Sequence, residues 1–438
     1  MIVSFSVSNF RSFSNEETFS LVASNRSKGA HEDHCVPIPN SEEKVLRAGV
    51  LYGANGAGKS NLFKALQYLR GVALETRPKK SGTGRQFFWV GGADQPSGFD
   101  LQFIAGGNLF RFGIKIDEER IVEEWLSKVT DGNERALYER LTDSSGKVTL
   151  DVSSWQDANE KIKALATVGG PENQSFLATV FANLSPADVG KELGDVIDWF
   201  NYGLTMVAPE MFFKNLGAFL DQHSRFRDFA GNRLRAASTG VDRLDVIKNK
   251  LSKEELGKAT GLSQLHIDQM DENGFGQLPG PTAIVRDGEK YDLITIWATH
   301  QKLQAPLYEE SDGTLRYLQL LPTLYVMQNK NMVLVVDEIE RSLHPLLVHE
   351  FIQDFMRTCQ GFSSQILFTT HESNLLDLNL LRRDEIWFAE KDQEGASHLY
   401  SLEDFKPREG DVRQHYLQGR YGAVPFLGDF DRLDLEKE

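Results

Sequence analysis

The sequence predicts an α/β protein, with a mixed, mainly parallel sheet, an attached antiparallel β layer and a helical insertion. Residues 53–60 match the phosphate-binding pattern G-x-x-x-x-G-K-[ST] at every fixed position. The apolar strand predicted over Met332–Val336 ends in two carboxylates, Asp337 and Glu338. Strands and helices then alternate toward the C-terminus, which is typical of a parallel sheet with helical crossovers. Together these features predict a phosphate-binding α/β fold.

The run Gly53–Ser60 lies between a predicted buried strand that ends at Tyr52 and a predicted helix that includes Asn61–Leu66. Glycines let successive backbone N–H groups point at a polyphosphate, and the helix N-terminus adds the positive end of its dipole. Lys59 supplies a point charge, and the Ser60 hydroxyl is a ligand for Mg²⁺. An ordinary Gly-rich turn is the alternative, and the full match between a strand and a helix disfavours it. We therefore expect nucleotide phosphates to contact Gly53, Asn55, Gly56, Ala57, Gly58, Lys59, Ser60 and Asn61.

The composition is that of a globular protein. Of 438 residues, 40% are apolar and 25% are charged, so a sizeable core is expected. The formal net charge of −15 argues against a basic surface that binds nucleic acid indiscriminately, although a local basic groove remains possible. Two cysteines suit a reducing compartment. The sequence shows neither a signal peptide nor an apolar run long enough for a membrane span, so we expect a soluble cytoplasmic protein.

The N-terminal residues predict short elements beside this core. Residues 1–24 alternate apolar and polar side chains around Asn9–Phe13, which predicts two strands joined by a tight turn. Residues 25–44 are polar and contain His31, His34 and Cys35. Three metal ligands this close can begin a zinc site, but a fourth ligand at a standard spacing is missing. A solvated loop is therefore favoured over a zinc site.

The pattern of elements predicts three parts, residues 1–152, 153–280 and 281–438. In the first part the antiparallel β layer is predicted over Phe99–Ile104, Leu109–Ile116, Ile121–Val129 and a further pair within 137–152. In the middle part a compact helical insertion is predicted, with helices at Ala158–Ala166, Phe176–Ala182, Val189–Tyr202, Met211–Phe229, Asp242–Lys250 and Lys253–Thr260. In the last part strands are predicted at Thr282–Val285, Tyr291–Trp297, Met332–Val336, Gln365–Thr369 and Glu385–Ala389, and helices at Thr314–Met327 and Pro345–Cys359.

Asp337 and Glu338 occupy the position at which P-loop ATPases carry two acids with separate roles. The first acid helps to hold Mg²⁺, which predicts Asp337 and Ser60 as the metal ligands. The second orients or polarises the attacking water, which predicts Glu338 as a catalytic residue together with Lys59. Carboxylates also terminate many buried strands, so the pair alone is only moderately specific. The phosphate loop in the same chain makes it a strong signal.

Three weaker motifs follow in the order expected of an ABC-type ATPase. Glu310–Thr314 begins a predicted helix where such proteins carry a signature motif, with Ser311 and helix N–H groups available to a γ-phosphate. Ser342–Pro345 lies at the place of a D-loop. His371 follows the strand Gln365–Thr369, where a switch histidine would hydrogen-bond the γ-phosphate. A histidine after a strand is more often structural, so the consistent order of all five motifs carries the prediction.

Taken together, the motifs resemble the ABC-type ATPases of the SMC/RecF/OLD-like group, in particular small ATPases of bacterial anti-phage systems. The similarity runs from Asn9–Phe13 through the motifs above to Tyr421–Pro425, and it hardly covers the middle of the chain. In size and layout the sequence is similar to the ATPase subunit of the PARIS defence system. The resemblance implies an ABC-type ATPase head in which Arg11 reaches the nucleotide. Pairing of Arg11 with a carboxylate is an equally good explanation of its presence.

The resemblance further implies that two heads form at least a dimer around two ATP–Mg²⁺, with Ser311 and Gly313 completing the partner's site. The signature departs from the Leu-Ser-Gly-Gly-Gln of transporters, since Asp312 and Thr314 replace its second Gly and its Gln. Because Asp312 would repel a phosphate, we expect its side chain to turn away.

A Q-loop glutamine has two candidates, Gln86 and Gln174, and either is more easily explained as an ordinary surface residue. Related nucleases carry a TOPRIM domain, for which the segment after His371 is too short. Any nuclease activity is therefore expected in a partner chain.

By resemblance, the expected function is an ATP-hydrolysing switch of an anti-phage system that senses a phage trigger and controls a separate toxic effector. The expected effector is a TOPRIM nuclease. The alternative is a RecF-like DNA-repair ATPase. Its candidate DNA-binding residues are the basic and aromatic stretch His223–Arg227 with Arg233, Arg235 and Arg243. Asp221, Asp228 and Asp242 offset much of this charge, which favours a solvated helical face. A membrane-transporter ATPase is the weakest of the three hypotheses.

Overall fold

The computed structural model describes residues 1–78, 81–210, 213, 216–263, 267, 275–277, 282–406 and 410–424. The chain packs as two compact units. The first comprises Met1–Val207, Lys330–Ile339 and Met356–Glu438, and the second comprises Ala208–Asn329 and Glu340–Phe355.

The described strands, in chain order, are β1 (Ile2–Ser8), β2 (Glu17–Ser20), β3 (Cys35–Pro37), β4 (Lys44–Leu46), β5 (Ala48–Tyr52), β6 (Ser97–Ala105), β7 (Asn108–Ile116), β8 (Ile121–Thr130), β9 (Asn133–Thr142), β10 (Val148–Asp151), β11 (Leu204–Val207), β12 (Arg243–Leu251), β13 (Phe275–Gln277), β14 (Ala283–Asp287), β15 (Lys290–His300), β16 (Leu303–Pro306), β17 (Val333–Val336), β18 (Gln365–Thr370), β19 (Ile386–Lys391) and β20 (Ser397–Ser401). The described α-helices are α1 (Lys59–Leu74), α2 (Glu160–Val168), α3 (Phe176–Asn183), α4 (Pro186–Val189), α5 (Lys191–Asp198), α6 (Leu216–Gln222), α7 (Ser224–Ala236), α8 (Lys253–Thr260), α9 (Asp312–Met327), α10 (Pro345–Thr358) and α11 (Val412–Leu417).

The central sheet of the first unit has the strand order β11-β17-β18-β5-β19-β20. Its strands are parallel except for β20, which returns antiparallel to β19. Every residue of β5, β17 and β18 is buried, which explains their continuous apolar sequences. Because neighbouring parallel strands end at the same edge, the residues after β5, β17 and β18 are brought together there. The predicted α/β fold with a mainly parallel sheet is therefore confirmed.

A second, antiparallel sheet in the same unit has the order β10-β9-β8-β7-β6-β1-β2. It confirms the predicted β layer and joins the N-terminal strands to it, because β1 pairs with β6. Along β6 buried and half-buried residues alternate, as expected when one face packs on a core. The buried Glu124 on β8 ties this sheet to α3, since its carboxylate accepts the N–H of Phe176 at 2.9 Å. Desolvation by burial raises the pKa of Glu124.

The second unit contains a sheet where the sequence predicts helices. The helix predicted over Asp242–Lys250 is wrong, because all of these residues except Asp242 lie in β12, which pairs antiparallel with β15 from Arg243–Thr299 to Leu251–Tyr291. Charged residues are frequent in this segment, so the alternation of apolar and polar side chains that marks a strand is weak in its sequence. The long ladder of pairs with β15 determines its conformation instead. β11 is a second departure from the helical pattern, since it pairs with β17 in the central sheet of the first unit.

The other helices and strands predicted between residues 99 and 391 agree with the structure to within a few residues, with two exceptions. The helix predicted over Val189–Tyr202 is α5 followed by a π-helical turn at Trp199–Gly203. The helix predicted over Met211–Phe229 lies partly outside the described residues, and its described part is divided into α6 and α7 at His223. The predicted limits at 152 and 280 and the roles assigned to the three predicted parts stay predictions. None of the described helices is long and apolar enough to cross a membrane.

A histidine between two carboxylates links β2 to β20. His398 Nδ1 lies 2.8 Å from Glu17 Oε1, and its Nε2 lies 3.1 Å from Asp392 Oδ2. Glu17 also accepts the N–H of Leu399 at 2.9 Å. The hydrogen bond to Asp392, and to a smaller extent the one to Glu17, raises the pKa of His398 above its usual value.

We expect His398→Asn to destabilise the protein at low pH and to have little effect at high pH. Because the pKa of His398 is raised in the folded state, the protonated ring contributes to the free energy of unfolding. This contribution is fully present below about pH 6.5 and is lost as the pH rises through the folded-state pKa. Because 42% of the side chain is exposed, the contribution should stay below about 1 kcal/mol. Urea unfolding of both proteins at pH 6 and pH 9 measures it. An equal difference at the two pH values would contradict this assignment.

Candidate functional site

The phosphate loop connects β5 to α1 in the conformation that its glycines predict. Gly56 and Gly58 have φ angles of +80° and +108°, which residues other than glycine rarely adopt. Lys59 is buried, and its Nζ donates hydrogen bonds to the carbonyls of Gly53 at 2.7 Å and Ala54 at 3.1 Å. The loop therefore holds an ammonium group at its centre, as anion binding requires.

Two serines from distant parts of the chain support the back of the loop. Ser397 Oγ donates to the carbonyl of Ala57 at 2.7 Å and lies 2.8 Å from Ser12 Oγ. Asn61 Nδ2 donates to the same Ser12 hydroxyl at 2.8 Å. A Cβ at Gly58 would lie only 2.1 Å from Ser397 Oγ, so this serine can approach only a glycine. Sequence reasoning missed Ser397, because nothing local to it marks a contact with the loop.

A buried carboxylate joins the loop to the two neighbouring strands. Asp337 Oδ1 accepts hydrogen bonds from Ser60 Oγ at 3.1 Å and from Thr369 Oγ1 at 2.6 Å. These hydroxyl and carboxylate oxygens are hard donors of the kind that Mg²⁺ prefers. The structure thus brings together the two predicted metal ligands, Ser60 and Asp337. It adds Thr369, which the sequence predicted only as the last residue of a strand.

Glu338 has an unusual backbone conformation and an available carboxylate. Its φ is +50°, and its N–H donates to Thr369 Oγ1 at 2.8 Å. Among the residues that the structure describes, none forms a hydrogen bond or ion pair with its half-buried carboxylate. Strained backbone of this kind persists only where the surroundings impose it, and it is concentrated at functional sites. The carboxylate is therefore available to accept a hydrogen bond from water.

His371 follows β18, which lies between β17 and β5. It is exposed at the edge of the sheet where the phosphate loop and the two acids also begin. Topology therefore places it on the correct side of the sheet for the predicted switch histidine. Its contact with a γ-phosphate stays a prediction.

Arg11 lies at the edge of a cleft beside the phosphate loop. Its φ is +52°, and its N–H donates to the Gln86 carbonyl at 2.7 Å. Its buried Nε has no hydrogen-bond partner, and no carboxylate among the described residues pairs with it. Burial lowers the pKa of Arg11 from its usual value. The alternative of an ion-paired Arg11 is therefore not realised, and the cation remains available to a ligand.

The cleft has a volume of about 590 Å³ and is lined by Arg11, Ser12, Asn61, Gln86, Phe87, Phe88, Trp89, Val90, Lys391, Glu394 and Gly395. Trp89 is 88% exposed, an unusual state for a large aromatic side chain. The cations Arg11 and Lys391 and the exposed ring of Trp89 are suited to a negatively charged ligand that carries a flat ring. Sequence reasoning missed Trp89, although an aromatic run next to the Q-loop candidate Gln86 was a usable signal.

The second Q-loop candidate has a structural role. Gln174 is buried, and its Oε1 accepts the N–H of Arg77 at 3.0 Å. Its Nε2 donates to Thr179 Oγ1 at 2.9 Å. Both ends of this amide are thus occupied by contacts within the fold. Gln86 is the candidate that lines the cleft beside Asn61.

The signature and the D-loop lie in the second unit. Ser311 is the N-cap of α9, and its Oγ accepts the N–H of Thr314 at 3.2 Å. A Cβ at Gly313 would lie 2.7 Å from the Ser342 carbonyl oxygen, so glycine allows the two motifs to touch. Asp312 is exposed in the first turn of α9, where a carboxylate stabilises the helix dipole.

The C-terminal motif packs on the edge of the central sheet. The ring of Tyr421 is stacked on Phe388 of β19, with centroids 5.9 Å apart. A Cβ at Gly422 would lie 2.6 Å from both Glu390 Oε2 and Tyr400 Oη, which explains the glycine. Pro425, the last residue of this motif, lies outside the described residues.

The basic stretch offered for DNA binding is largely neutralised. Arg233 pairs with the buried Asp354 at 2.9 Å, and Arg243 pairs with Asp245 at 3.0 Å. Arg235 lies 3.7 Å from Asp242. Phe226 is fully buried, so it contributes to the core of the second unit and not to a stacking surface.

Comparisons with known proteins find one family model and several solved structures that are similar to this chain. A family described as "AAA domain, putative AbiEii toxin, Type IV TA system" matches residues 50–377. Among solved structures, the SMC head domain from Thermotoga maritima is 13% identical, with a TM-score of 0.40, and the match covers 91% of this chain and 98% of that one. An Smc head bound to the C-terminal domain of ScpA, derived from Pyrococcus furiosus, is 12% identical, with a TM-score of 0.38 and coverages of 92% and 97%. No curated protein matches the sequence.

We expect Gly58→Ala to abolish nucleotide binding, and Gly56→Ala to weaken it much less. Both positions have positive φ angles, which costs an alanine roughly 1–2 kcal/mol. Only the Gly58 Cβ would also collide with Ser397, whereas nothing lies within 4 Å of a Cβ at Gly56. Titration of each variant with a fluorescent ATP analogue measures the difference. Equal affinities of the two variants would show that the serine support does not shape the loop.

Proposed function

Because the chain belongs to the family described as "AAA domain, putative AbiEii toxin, Type IV TA system", we propose that it is an ATP-hydrolysing molecular switch. The family match includes the phosphate loop, the two acids and His371. The observation that carries the proposal is the Asp337 carboxylate, which hydrogen-bonds Ser60 and Thr369. It assembles an oxygen-rich ligand set beside a loop built for phosphates.

The residues of the first unit account for the binding of ATP. Backbone N–H groups of Gly53–Ser60 and the Lys59 ammonium hold the phosphates, and Asn61 follows in the same helix turn. Ser60 and Asp337 would hold Mg²⁺, which neutralises charge on the phosphates when it is bound. Arg11 and Trp89 would contact the ribose and base side of the nucleotide in the cleft.

Glu338 would act on the attacking water. Its carboxylate accepts a hydrogen bond from the water and takes a proton as the new O–Pγ bond forms. The bond between Pγ and the bridging oxygen breaks, and the electron pair leaves with ADP. Lys59 stabilises charge on the transferring phosphoryl group, and His371 hydrogen-bonds its oxygens.

A second copy of the chain would complete each site. The N-terminus of α9, a 16-residue helix, offers Ser311 and backbone N–H groups at Gly313 to a γ-phosphate bound by the partner. Two chains would then enclose two nucleotides. Hydrolysis would reshape the dimer, and this movement is the output of the switch.

The output would control a separate toxic effector in an anti-phage system, with a phage component as the trigger. The family description names a toxin of a toxin–antitoxin system, and the sequence resembles anti-phage ATPases, in layout the PARIS subunit. A TOPRIM nuclease is the proposed effector. Co-purification of the protein with the product of an adjacent TOPRIM gene, and loss of that complex on phage infection, would support this role. Salt-dependent DNA stimulation of turnover without such a partner would instead favour DNA repair.

We expect Glu338→Gln to keep ATP binding and to lose turnover by roughly 10²–10⁴-fold, because the amide cannot accept the proton from water. Glu340→Gln, two residues further along, is the matched control and should keep turnover. Phosphate release and equilibrium ATP binding are measured on both variants. Unchanged turnover in the Glu338 variant would remove the role given to this carboxylate.

Mixing equal amounts of two inactive variants should restore about a quarter of the wild-type activity if sites are shared between chains, because half of the randomly formed dimers are mixed and each of these has one of its two sites intact. Lys59→Ala removes phosphate binding. Ser311→Asp keeps a good N-cap for α9 but places a carboxylate where the partner's γ-phosphate would lie. A mixed dimer contains one intact site, formed by Lys59 of one chain and Ser311 of the other. Phosphate release by mixtures that stays at the level of the separate variants would argue against a shared site.

A further inference from the structure

A short turn after β2 brings three metal-binding side chains together. His31 has a φ of +42°, and the 3₁₀ helix Glu32–His34 follows it directly. This bend places one ligand atom each of His31, Asp33 and His34 within 4.8 Å of one another. No other group of this kind is found among the described residues. The turn belongs to the first unit but takes no part in the nucleotide site.

The hydrogen bonds of the two rings determine which nitrogens remain available. His31 Nε2 lies 2.9 Å from the Leu378 carbonyl oxygen. Because a carbonyl can only accept, Nε2 carries the proton and Nδ1 keeps its lone pair. His34 Nδ1 lies 2.9 Å from the buried carboxylate of Glu385, which leaves Nε2 as its available nitrogen. Each ring thus has one nitrogen anchored by an acceptor and one open.

This pattern is typical of histidines that bind metal ions. A ligating histidine usually donates its other ring N–H to a carboxylate or a backbone carbonyl, which fixes the tautomer and the orientation of the ring. Glu385 is itself oriented by the N–H of Arg382, which donates to its Oε2 at 2.7 Å. The outer contacts of a metal site are therefore already formed on both rings.

We propose that His31, Asp33 and His34 form a Zn²⁺ site, with one nitrogen from each ring, one carboxylate oxygen from Asp33 and water in the fourth position. Imidazole nitrogen favours zinc over Mg²⁺ or Ca²⁺, which prefer oxygen. Tetrahedral coordination requires ligand atoms about 3.3 Å apart, so atoms that are now separated by as much as 4.8 Å must approach one another by up to roughly 1.5 Å. Asp33 is exposed and His31 is half-buried, so their side chains can make this movement, whereas the buried His34 stays fixed.

Bound zinc would fasten the turn at residues 31–34 to the segment that contains Leu378 and Glu385. These contacts cross more than 340 residues of sequence, at separations of 347 and 351. A metal that binds only the folded chain stabilises it by mass action. Zinc should therefore raise the temperature of unfolding without any need for nucleotide.

Zinc binding is tested on the full chain, stripped with a chelator and returned to a nucleotide-free buffer that contains Mg²⁺. Titration of ZnCl₂ against a chromogenic chelator gives stoichiometry and affinity. We expect one site per chain, loss of this site in His31→Ala and Asp33→Asn, and about 10–100-fold weaker binding in Glu385→Gln. The unfolding temperature should rise with zinc in the wild type and not in the first two variants.

Two matched controls make the result specific. His398→Gln removes a histidine that also contacts two carboxylates but belongs to no group of three potential metal ligands found in the described part of the chain, and it should keep the zinc site. Asp337→Asn removes the carboxylate of the nucleotide site and should also keep it. The proposal is overturned if the wild type binds no zinc, or if His31→Ala and Asp33→Asn bind as the wild type does. Loss of the site in Asp337→Asn alone would assign the zinc to the nucleotide site.

Discussion

The carboxylate of Asp337 is the contact on which the candidate site depends. It accepts hydrogen bonds from a serine in the first turn of α1 and from a threonine near the end of β18. Three segments, separated by 277 and 32 residues of sequence, therefore meet at one oxygen atom. A buried carboxylate without such donors would be costly, so the two hydroxyl groups are needed for the fold as well as for the site. Structural stability and the proposed metal binding would thus use the same atoms.

The phosphate loop is held in place from the opposite side by a polar contact of similar kind. Ser397 begins β20, and Ser12 lies in the turn between the N-terminal strands, yet both contact the loop or its helix. The antiparallel layer and the edge of the central sheet are consequently joined at the nucleotide site. A displacement of the loop would therefore alter contacts with both sheets. In the proposed switch, these contacts would connect hydrolysis to a change in shape.

The side chains of the candidate nucleotide site and those of the turn at residues 31–34 differ in their hydrogen bonding and in their proposed roles. In the nucleotide site, the Glu338 carboxylate and the Arg11 Nε have no partner among the described residues, so they remain available to a substrate. In the turn at residues 31–34, both histidine rings are already oriented by acceptors on a distant segment. The first arrangement suits binding that must be reversed at each turnover. The second suits a ligand that stays bound and stabilises the chain.

The sequence by itself determined the elements whose signals are local. The phosphate loop at residues 53–60, the apolar strand before Asp337 and the helix start within Glu310–Thr314 each follow from side-chain chemistry over a few residues, and the structure contains all of them. Tertiary structure decided what depends on distant partners. β12 is a strand because β15 pairs along its whole length, Thr369 reaches Asp337 because β17 and β18 are neighbours, and Gln174 is structural because Arg77 and Thr179 occupy its amide. These outcomes are set by contacts between residues far apart in the chain, which no local pattern of side chains records.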